Sequence, residues 1–480
     1  MALTEVNSLG IKDLEVKTAD IAADAVTSAK IADDQIDSEH YVNASIDHAH
    51  LADDCVDGDN IADNSVGLAA MAHGTDGNLI TFDASGAPAY VATGNDGQVL
   101  TSTGAGSPPA FETISTTNEP FRNLVINGAC NVAQRATSKS THTGHGYFTV
   151  DRFYTSIGGE NEGREEAQIT LTSSDTGPWA KGFRNAFQVT NGNQTSTDAG
   201  DYLGAFAYYI ESQDVASSGW EYNNTSSYLT ISFWVKSSVA QNFYGYFRTS
   251  DGTSKYRPFE TGSLSANTWT KITKSIPGHA DIQIDNNTGH GFQVYFYGYA
   301  GTDKTDSGIS LDTWYSWPND TQTTPDWSAS MDDWWRTNNA TLAFTGLQVE
   351  VGATATEFEH RSFGEELLRC LRYYEKSYPY TVAPGTGGDN GRRLRRICGD
   401  ANNTTAIIEE TYNVEKRATP TLTTYATDGT SGKMTVYNYG STTNHQNAST
   451  YGATARGFEV NSSGNSMNAA AVFWEATADF

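Results

Sequence analysis

Basic residues are scarce in this chain. Thirty Lys and Arg stand against 57 Asp and Glu, a formal net charge of −27. A surface of that sign repels polyanions, which excludes nucleic acid and anionic membranes as general partners. Cysteine is also scarce. Cys55, Cys130, Cys370 and Cys398 lie far apart, with no CxxC and no neighbouring histidine pair. They are predicted to be free thilols of a protein made in a reducing cytoplasm, not a disulfide framework or a zinc site. No run approaches the roughly 18 apolar residues of a membrane helix, so no membrane insertion is expected. The opening MALTEVNSLG lacks the basic and apolar regions of a secretory signal. Neither GxSxG, HExxH nor a P-loop occurs.

Aromatic and turn-forming residues are plentiful instead: 25 Tyr, 20 Phe, 10 Trp and 45 Gly. That balance predicts a mainly β protein, and 480 residues are enough for about three domains.

Residues 11 to 71 carry a strict repeat. Ile11, Ile21, Ile31, Tyr41, Leu51, Ile61 and Met71 fall ten apart, with Val16, Val26, Ile36, Ile46, Val56 and Val66 midway. One apolar residue in five fits neither a helix nor a simple strand. A unit this short cannot bury its own apolar side chain and needs stacked neighbours. Three copies around an axis would place the apolar rings inside and the aspartates outside, so residues 1–73 are read as an attachment segment and a trimeric shaft. A disordered acidic linker or a single-chain β-helix are the alternatives. His40, His48 and His50 could meet on the axis, but solvated positions are the simpler reading, and neither a metal nor another cofactor is expected.

Residues 74–118 are Gly-, Ser- and Thr-rich, with two short strand pairs around Asn78–Phe82 and Gln98–Thr101. Residues 119–361 read as a β-sandwich of jelly-roll type. In YLTISFWVK, Leu229, Ile231, Phe233 and Val235 share one face, with Tyr228 and Trp234 on the other. In NFYGYFR, Phe243 and Phe247 oppose Tyr244, Tyr246 and Arg248. In GFQVYFYGYA, Phe292, Val294 and Phe296 oppose Tyr295, Tyr297 and Tyr299. The first set predicts the sandwich core and the second an aromatic face, fit for sugar rings or for a neighbouring protomer. Between Asp303 and Asn339 a long insertion holds Trp314, Trp317, Trp327, Trp334 and Trp335. It is either a receptor-binding platform or a loop that buries its own tryptophans.

Leu347, Val349 and Val351 alternate with polar residues and end the sandwich. Ser362 and Glu365 then have capping-box spacing, and Leu367, Leu371, Tyr374 and Tyr378 recur at helical spacing up to Pro379. This predicts one linking helix over 362–379. Residues 380–480 read as a β tip domain with strands at Arg393–Ile397, Thr405–Glu409, Thr421–Tyr425, Met434–Tyr437, Gly457–Val460 and Ala469–Trp474. Its segment 438–451 offers Tyr439, His445, Gln446 and Tyr451 as receptor-binding candidates in a loop. Arg392, Arg393, Arg395 and Arg396 form a basic run for an anion, or for Glu409, Glu410 and Glu415.

The stretch LQVEVGATATEFEHRSFGEELLRCLRYYEKSY resembles the end of a jelly-roll domain in tail fibres of tailed bacteriophages. FRNLVINGACNVAQRAT with YFTVDRFY resembles its opening, itself similar to carbohydrate-binding modules. TDGNLITFDASGAPAYVATGNDGQVLTSTGAGSPPAF resembles a fibre knob, and KRATPTLTTYATDGTSG with FWEATADF resembles a fibre tip. The resemblance implies a homotrimeric virion appendage, docked by its amino terminus on a tail or baseplate protein. It implies that the distal domains recognise a host polysaccharide or lipopolysaccharide. A tail spike with glycosidase activity, or a purely structural fibre whose receptor-binding tip is another protein, are the alternatives. A glycosidase needs two carboxyls about 5 to 9.5 Å apart. Adjacent Asp332 and Asp333 would point to opposite faces of a strand, so no enzymatic activity is expected.

Overall fold

The computed structural model describes parts of the segment 17–62, then residues 77–85, 88–113, 122–159, 162–317, 324–325, 332–388, 393–396, 405–438, 441–463 and 469–480. It divides into two compact units, 1–114 and 115–480.

In the first unit, single 3-10 turns at Ser28–Lys30 and Ser38–His40 recur at the ten-residue interval of the sequence. Each ends on an apolar residue in extended conformation, Ile31 and Tyr41. Asp37 caps the second turn, its carboxylate accepting from the Glu39 amide at 3.1 Å and pairing with His40 at 2.8 Å. The repeat side chains Ile21, Val26, Ile31, Ile36, Tyr41, Ile46, Leu51 and Ile61 are all exposed. Two hairpins follow, Leu79–Phe82 with Pro88–Val91 and Gln98–Thr101 with Ala110–Thr113.

The second unit begins with a sandwich of two six-stranded antiparallel sheets. One runs Thr270–Pro277, Tyr228–Ser237, Thr341–Val351, Asn185–Asn191, Arg164–Thr170 and Ser138–His142. The other runs Tyr315–Ser316, Lys255–Ser263, Asn242–Thr249, His290–Ala300, Tyr202–Glu211 and Tyr154–Gly158. The predicted inward residues do meet: Leu229, Ile231, Phe233, Val235, Phe243, Phe247, Phe292, Val294 and Phe296 share one buried core. Tyr299 departs from its predicted face. The register of Tyr202–Glu211 against His290–Ala300 shifts around Gly298. This reverses the alternation and turns Tyr299 into the core, stacked on Trp335 at 4.6 Å. A Cβ on Gly298 would lie 3.0 Å from Leu203 and 3.1 Å from Trp334, which favours glycine at the bulge.

The linking helix is shorter than its pattern. It spans Phe363–Cys370, with the Ser362 hydroxyl accepting from the Glu365 amide at 3.3 Å. Glu366 and Cys370 face inward, and the Glu366 carboxylate accepts from the Asn127 amide at 2.6 Å. Tyr374 and Tyr378 do not continue the stripe. Tyr374–Lys376 is a strand paired with Ala469–Thr477. A spacing of four satisfies period two as well as 3.6, and the open sheet edge decides between them.

Ala469–Thr477 is the spine of the carboxyl-terminal sheet. It pairs with Tyr374–Lys376, Arg393–Arg396, Thr421–Tyr425 and Lys433–Asn438. Thr405–Thr411, Gly457–Ser463 and Ser449–Tyr451 form a second sheet. Between them lie Ile408, Met434, Val436, Phe458, Val460, Val472 and Trp474. The expected loop at 438–451 is mostly strand, Ser441–Asn447 and Ser449–Tyr451. Cys130 and Cys370 are buried free thiols, and burial pushes the Cys130 thiol up to about 12. Cys55 and Cys398 lie outside the described residues.

Candidate functional site

The outer face of the second sheet carries a groove of about 340 Å³ lined largely by tyrosine. Strand alternation builds it. With phenylalanines facing the core, Tyr246 and Arg248, Tyr295, Tyr297 and Gln293, and Tyr202 and Tyr209 must face outward. Tyr246 lies parallel to Tyr295 with ring centroids 4.9 Å apart, and Tyr297 tilts against Tyr295 at 4.7 Å. Gly204 makes this packing possible, since a Cβ there would sit 2.1 Å from the Tyr295 hydroxyl. That hydroxyl lies 2.7 Å from Ser156 Oγ.

The insertion supplies one wall. Trp317 crosses the outer face, 5.2 Å from the Tyr246 ring and 5.7 Å from Tyr256. The Arg248 guanidinium stacks on Trp317 with 3.8 Å to the ring centroid. Lys304 lies 5.0 Å over Tyr202. Phe480, the last residue, packs against Tyr209 and His290 at 5.6 and 5.7 Å.

Burial pushes the Tyr246 and Tyr295 hydroxyls far above their ordinary value and lifts Tyr256 to about 12. These phenols therefore stay protonated and can donate hydrogen bonds. Burial, with Arg248 nearby, holds His290 below its ordinary value, so it is neutral at pH 7. Gln293 is buried, and its Oε1 has no hydrogen-bond partner among the described residues. A second cleft of about 640 Å³ adjoins the groove and shares His145 with it. Rings, phenolic donors and an amide oxygen in one concave face are the groups that a polar ring-shaped ligand requires.

The insertion tryptophans divide. Trp334 and Trp335 are fully buried and cannot offer a face to a ligand, which removes them as receptor contacts. The Trp334 backbone N–H donates to Gln241 Oε1 at 2.9 Å, and its indole N–H donates to Thr341 O at 3.1 Å. The Trp335 indole N–H donates to Ser196 O at 2.7 Å. Trp314 is half-buried against the core and donates to Pro277 O at 3.0 Å. Trp317 alone of these four lines the groove. Trp327 lies outside the described residues. Asp332 and Asp333 begin a short helix, Asp332–Arg336, not a strand, and Asp332 pairs with Arg336 at 3.5 Å.

Of the tip candidates, the described His445, Gln446 and Tyr451 lie on strands of two different sheets. His445 is half-buried, its Nδ1 3.0 Å from Thr435 Oγ1 and its Nε2 3.4 Å from Asp428. Gln446 is half-buried on the strand Ser441–Asn447, whereas Tyr451 is exposed on Ser449–Tyr451. Tyr439 and Arg392 lie outside the described residues, as do the side chains of Arg393, Arg395 and Arg396. Among the described residues no three His, Cys, Asp or Glu side chains gather as a metal site. Gln293, Lys304, Tyr202 and Tyr209 were not singled out by sequence. Only the aromatic alternation pointed toward this face.

No protein family matches the chain, and no curated protein matches it. Among solved structures, it is similar to the enzymatically active domain of tailspike protein 4 of bacteriophage CBA120. The identity is 11% and the TM-score 0.25, over 52% of this chain and 25% of that one. The chain thus spans about a quarter of that tailspike. A family 4 carbohydrate-binding module matches at 10% identity and TM-score 0.21, over 47% of this chain and 98% of the module. The family 11 module of a Clostridium thermocellum cellulosomal cellulase matches at 14% and 0.21, over 46% and 98%. At such scores the functional reading rests on the groove and not on these neighbours.

Proposed function

We propose that the chain is a tail fibre of a tailed bacteriophage that binds a host-surface saccharide in the tyrosine-lined groove. The observation that carries the binding reading is Trp317, placed by a long insertion over a sheet face already rich in tyrosine, beside the unpaired Gln293 amide oxygen. Stacking rings and a waiting acceptor suit the faces and hydroxyls of a sugar. The sequence resemblance supports the virion setting, amino-terminal docking on the tail or baseplate, and the homotrimer. The exposed apolar residues of the repeat support the trimer independently, because such residues need cover. The site is read as binding and not cleaving. Paired carboxyls are what a glycosidase needs, and none lines the groove among the described residues.

Two variants test this on whole cells. Trp317→Ala should abolish adsorption of the full-length protein, while Tyr451→Ala at the tip should leave it intact. If Tyr451→Ala removes adsorption and Trp317→Ala does not, the receptor site belongs to the tip. The competing occupant of the groove is a neighbouring protomer. Trp317→Ala would then weaken assembly, seen by analytical ultracentrifugation, before it affected sugar binding.

A further inference from the structure

We propose that Phe480 is a positioning residue of the groove, and that the carboxyl-terminal domain contributes to saccharide binding by holding one groove wall in shape. This rests on the groove being a saccharide site. Tyr209 and His290 line the groove, whereas Phe480 and Arg417 stand behind it and act on a ligand through those two. The wall is a triangle of rings. Tyr209 meets His290 edge-on with centroids 5.4 Å apart, and Phe480 closes the triangle at 5.6 and 5.7 Å. Tyr209 also meets Tyr154 at 6.1 Å, which carries the row onward along the groove. The three rings come from distant parts of the chain: the strand Tyr202–Glu211, the strand His290–Ala300 and the residues after Ala469–Thr477. Arg152 donates to the Tyr209 carbonyl at 2.5 Å, which fixes the backbone there and leaves the ring to its neighbours.

Arg417, from the carboxyl-terminal domain, holds Phe480 in place. Its Nε donates to Ala478 O at 2.9 Å, its Nη2 to Asp479 O at 2.8 Å and its Nη1 to Thr288 O at 2.8 Å. The face of the same guanidinium lies 4.1 Å from the Phe480 ring centroid. Edge and face of one planar group thus serve different partners, which a lysine cannot do. Thr288 stands two residues before His290. One side chain therefore ties the end of the chain to the approach of a groove strand. A ring that is already fixed loses less freedom when a ligand packs on it, so the order imposed on Tyr209 and His290 is expressed as affinity.

The test uses the full-length protein and the surface polysaccharide extracted from a bacterial strain to which it adsorbs, with affinity read by calorimetry. Phe480→Ala is expected to weaken binding about threefold to tenfold, the ordering cost of the released side chains. Phe480→Tyr keeps the ring and should bind as wild type does. Arg417→Gln should show the same loss as Phe480→Ala, and the two changes together no more than either alone. Carbethoxylation of His290 by diethyl pyrocarbonate, read by peptide mass mapping, should quicken in Phe480→Ala and not in Phe480→Tyr. Asp175 pairs with Lys236 on the opposite sheet, so Asp175→Asn lowers stability there and should leave binding and His290 reactivity unchanged. Trp317→Ala reports on the groove itself. If it abolishes binding while Phe480→Ala binds as wild type does, the positioning role is overturned and the saccharide site stands. Equal losses in Asp175→Asn and Phe480→Ala would trace the effect to general stability and likewise overturn the role. Undiminished binding by Trp317→Ala overturns both readings.

Discussion

Arg372 grips Glu211 with both arms of its guanidinium, Nε at 2.7 Å and Nη2 at 2.8 Å, across the join between sandwich and carboxyl-terminal sheet. Tyr373 adds a third bond to the same carboxylate at 2.6 Å, and its ring lies under Arg152 at 3.4 Å to the centroid. Arg152 and Arg135 both pair with Asp479, while Arg417 donates to the carbonyls of Ala478 and Asp479 at 2.9 and 2.8 Å. The end of the chain is thereby tied to the sandwich. Its last ring, Phe480, reaches two groove residues.

Glu211 is fully buried, so removing its partner leaves an uncompensated charge. Arg372→Met should destabilise the protein by about 3 to 5 kcal/mol in urea unfolding. Glu211→Gln added to it should recover a large part of the loss. An additive double variant would show that the pair is not coupled.

The insertion tryptophans should separate by phenotype. Trp334→Ala removes a fully buried ring and should cost about 3 to 5 kcal/mol in stability. Trp317→Ala should cost under about 2 kcal/mol, because the ring is only half-buried, yet remove saccharide binding. Calorimetric melting read beside polysaccharide binding checks both. Similar losses of stability in the two variants would contradict the division.

Acid should expose a distinct contact. Asp175 is partly shielded, which raises its pKa. Hydrogen bonds from Lys236 Nζ at 2.8 Å and Trp269 Nε1 at 3.0 Å outweigh that and hold it at about 2, below the ordinary 3.8. A depressed native value means that the unfolded chain binds the proton more readily. The stabilisation is therefore present above about pH 4 and is lost as pH falls through about 2. Solvent screening limits its size to about 1 kcal/mol. Asp175→Asn should be less stable than wild type by that amount at pH 6, and the gap should close near pH 2.

The alternation in three sandwich strands is enough to sort core phenylalanines from groove tyrosines, because a strand has only two faces. It fails at Tyr299, where the backbone carries one residue too many around Gly298, and side-chain identities do not record a bulge. The helix over 363–370 is legible from Ser362 and the glutamates that follow it. Its early end is not, because Tyr374 and Tyr378 fit both periods and the partner strand lies about a hundred residues away. The five insertion tryptophans look alike in sequence. Trp334 and Trp335 instead join the sandwich core, and their N–H groups find Gln241, Thr341 and Ser196, partners that the insertion itself does not contain. The groove was hardest to foresee, since Gln293, Lys304 and Trp317 come from separate elements and share no motif.

The repeat gives the remaining prediction. Ile21, Ile31 and Ile61 are exposed within one chain, so that chain alone gives aspartate no reason to be unfavourable at these positions. If three chains close around the repeat, the same positions lie on an apolar axis, where unpaired charges are strongly disfavoured. Like charges would also face one another across a few ångströms. The variant carrying Ile21→Asp, Ile31→Asp and Ile61→Asp should therefore lose trimer mass in sedimentation equilibrium. Its shaft should become sensitive to protease, while the melting of the sandwich, whose core lies in the separate unit 115–480, stays unchanged. A variant that remains trimeric and protease-resistant through residues 11 to 71 would mean that the repeat's apolar side chains do not face an axis.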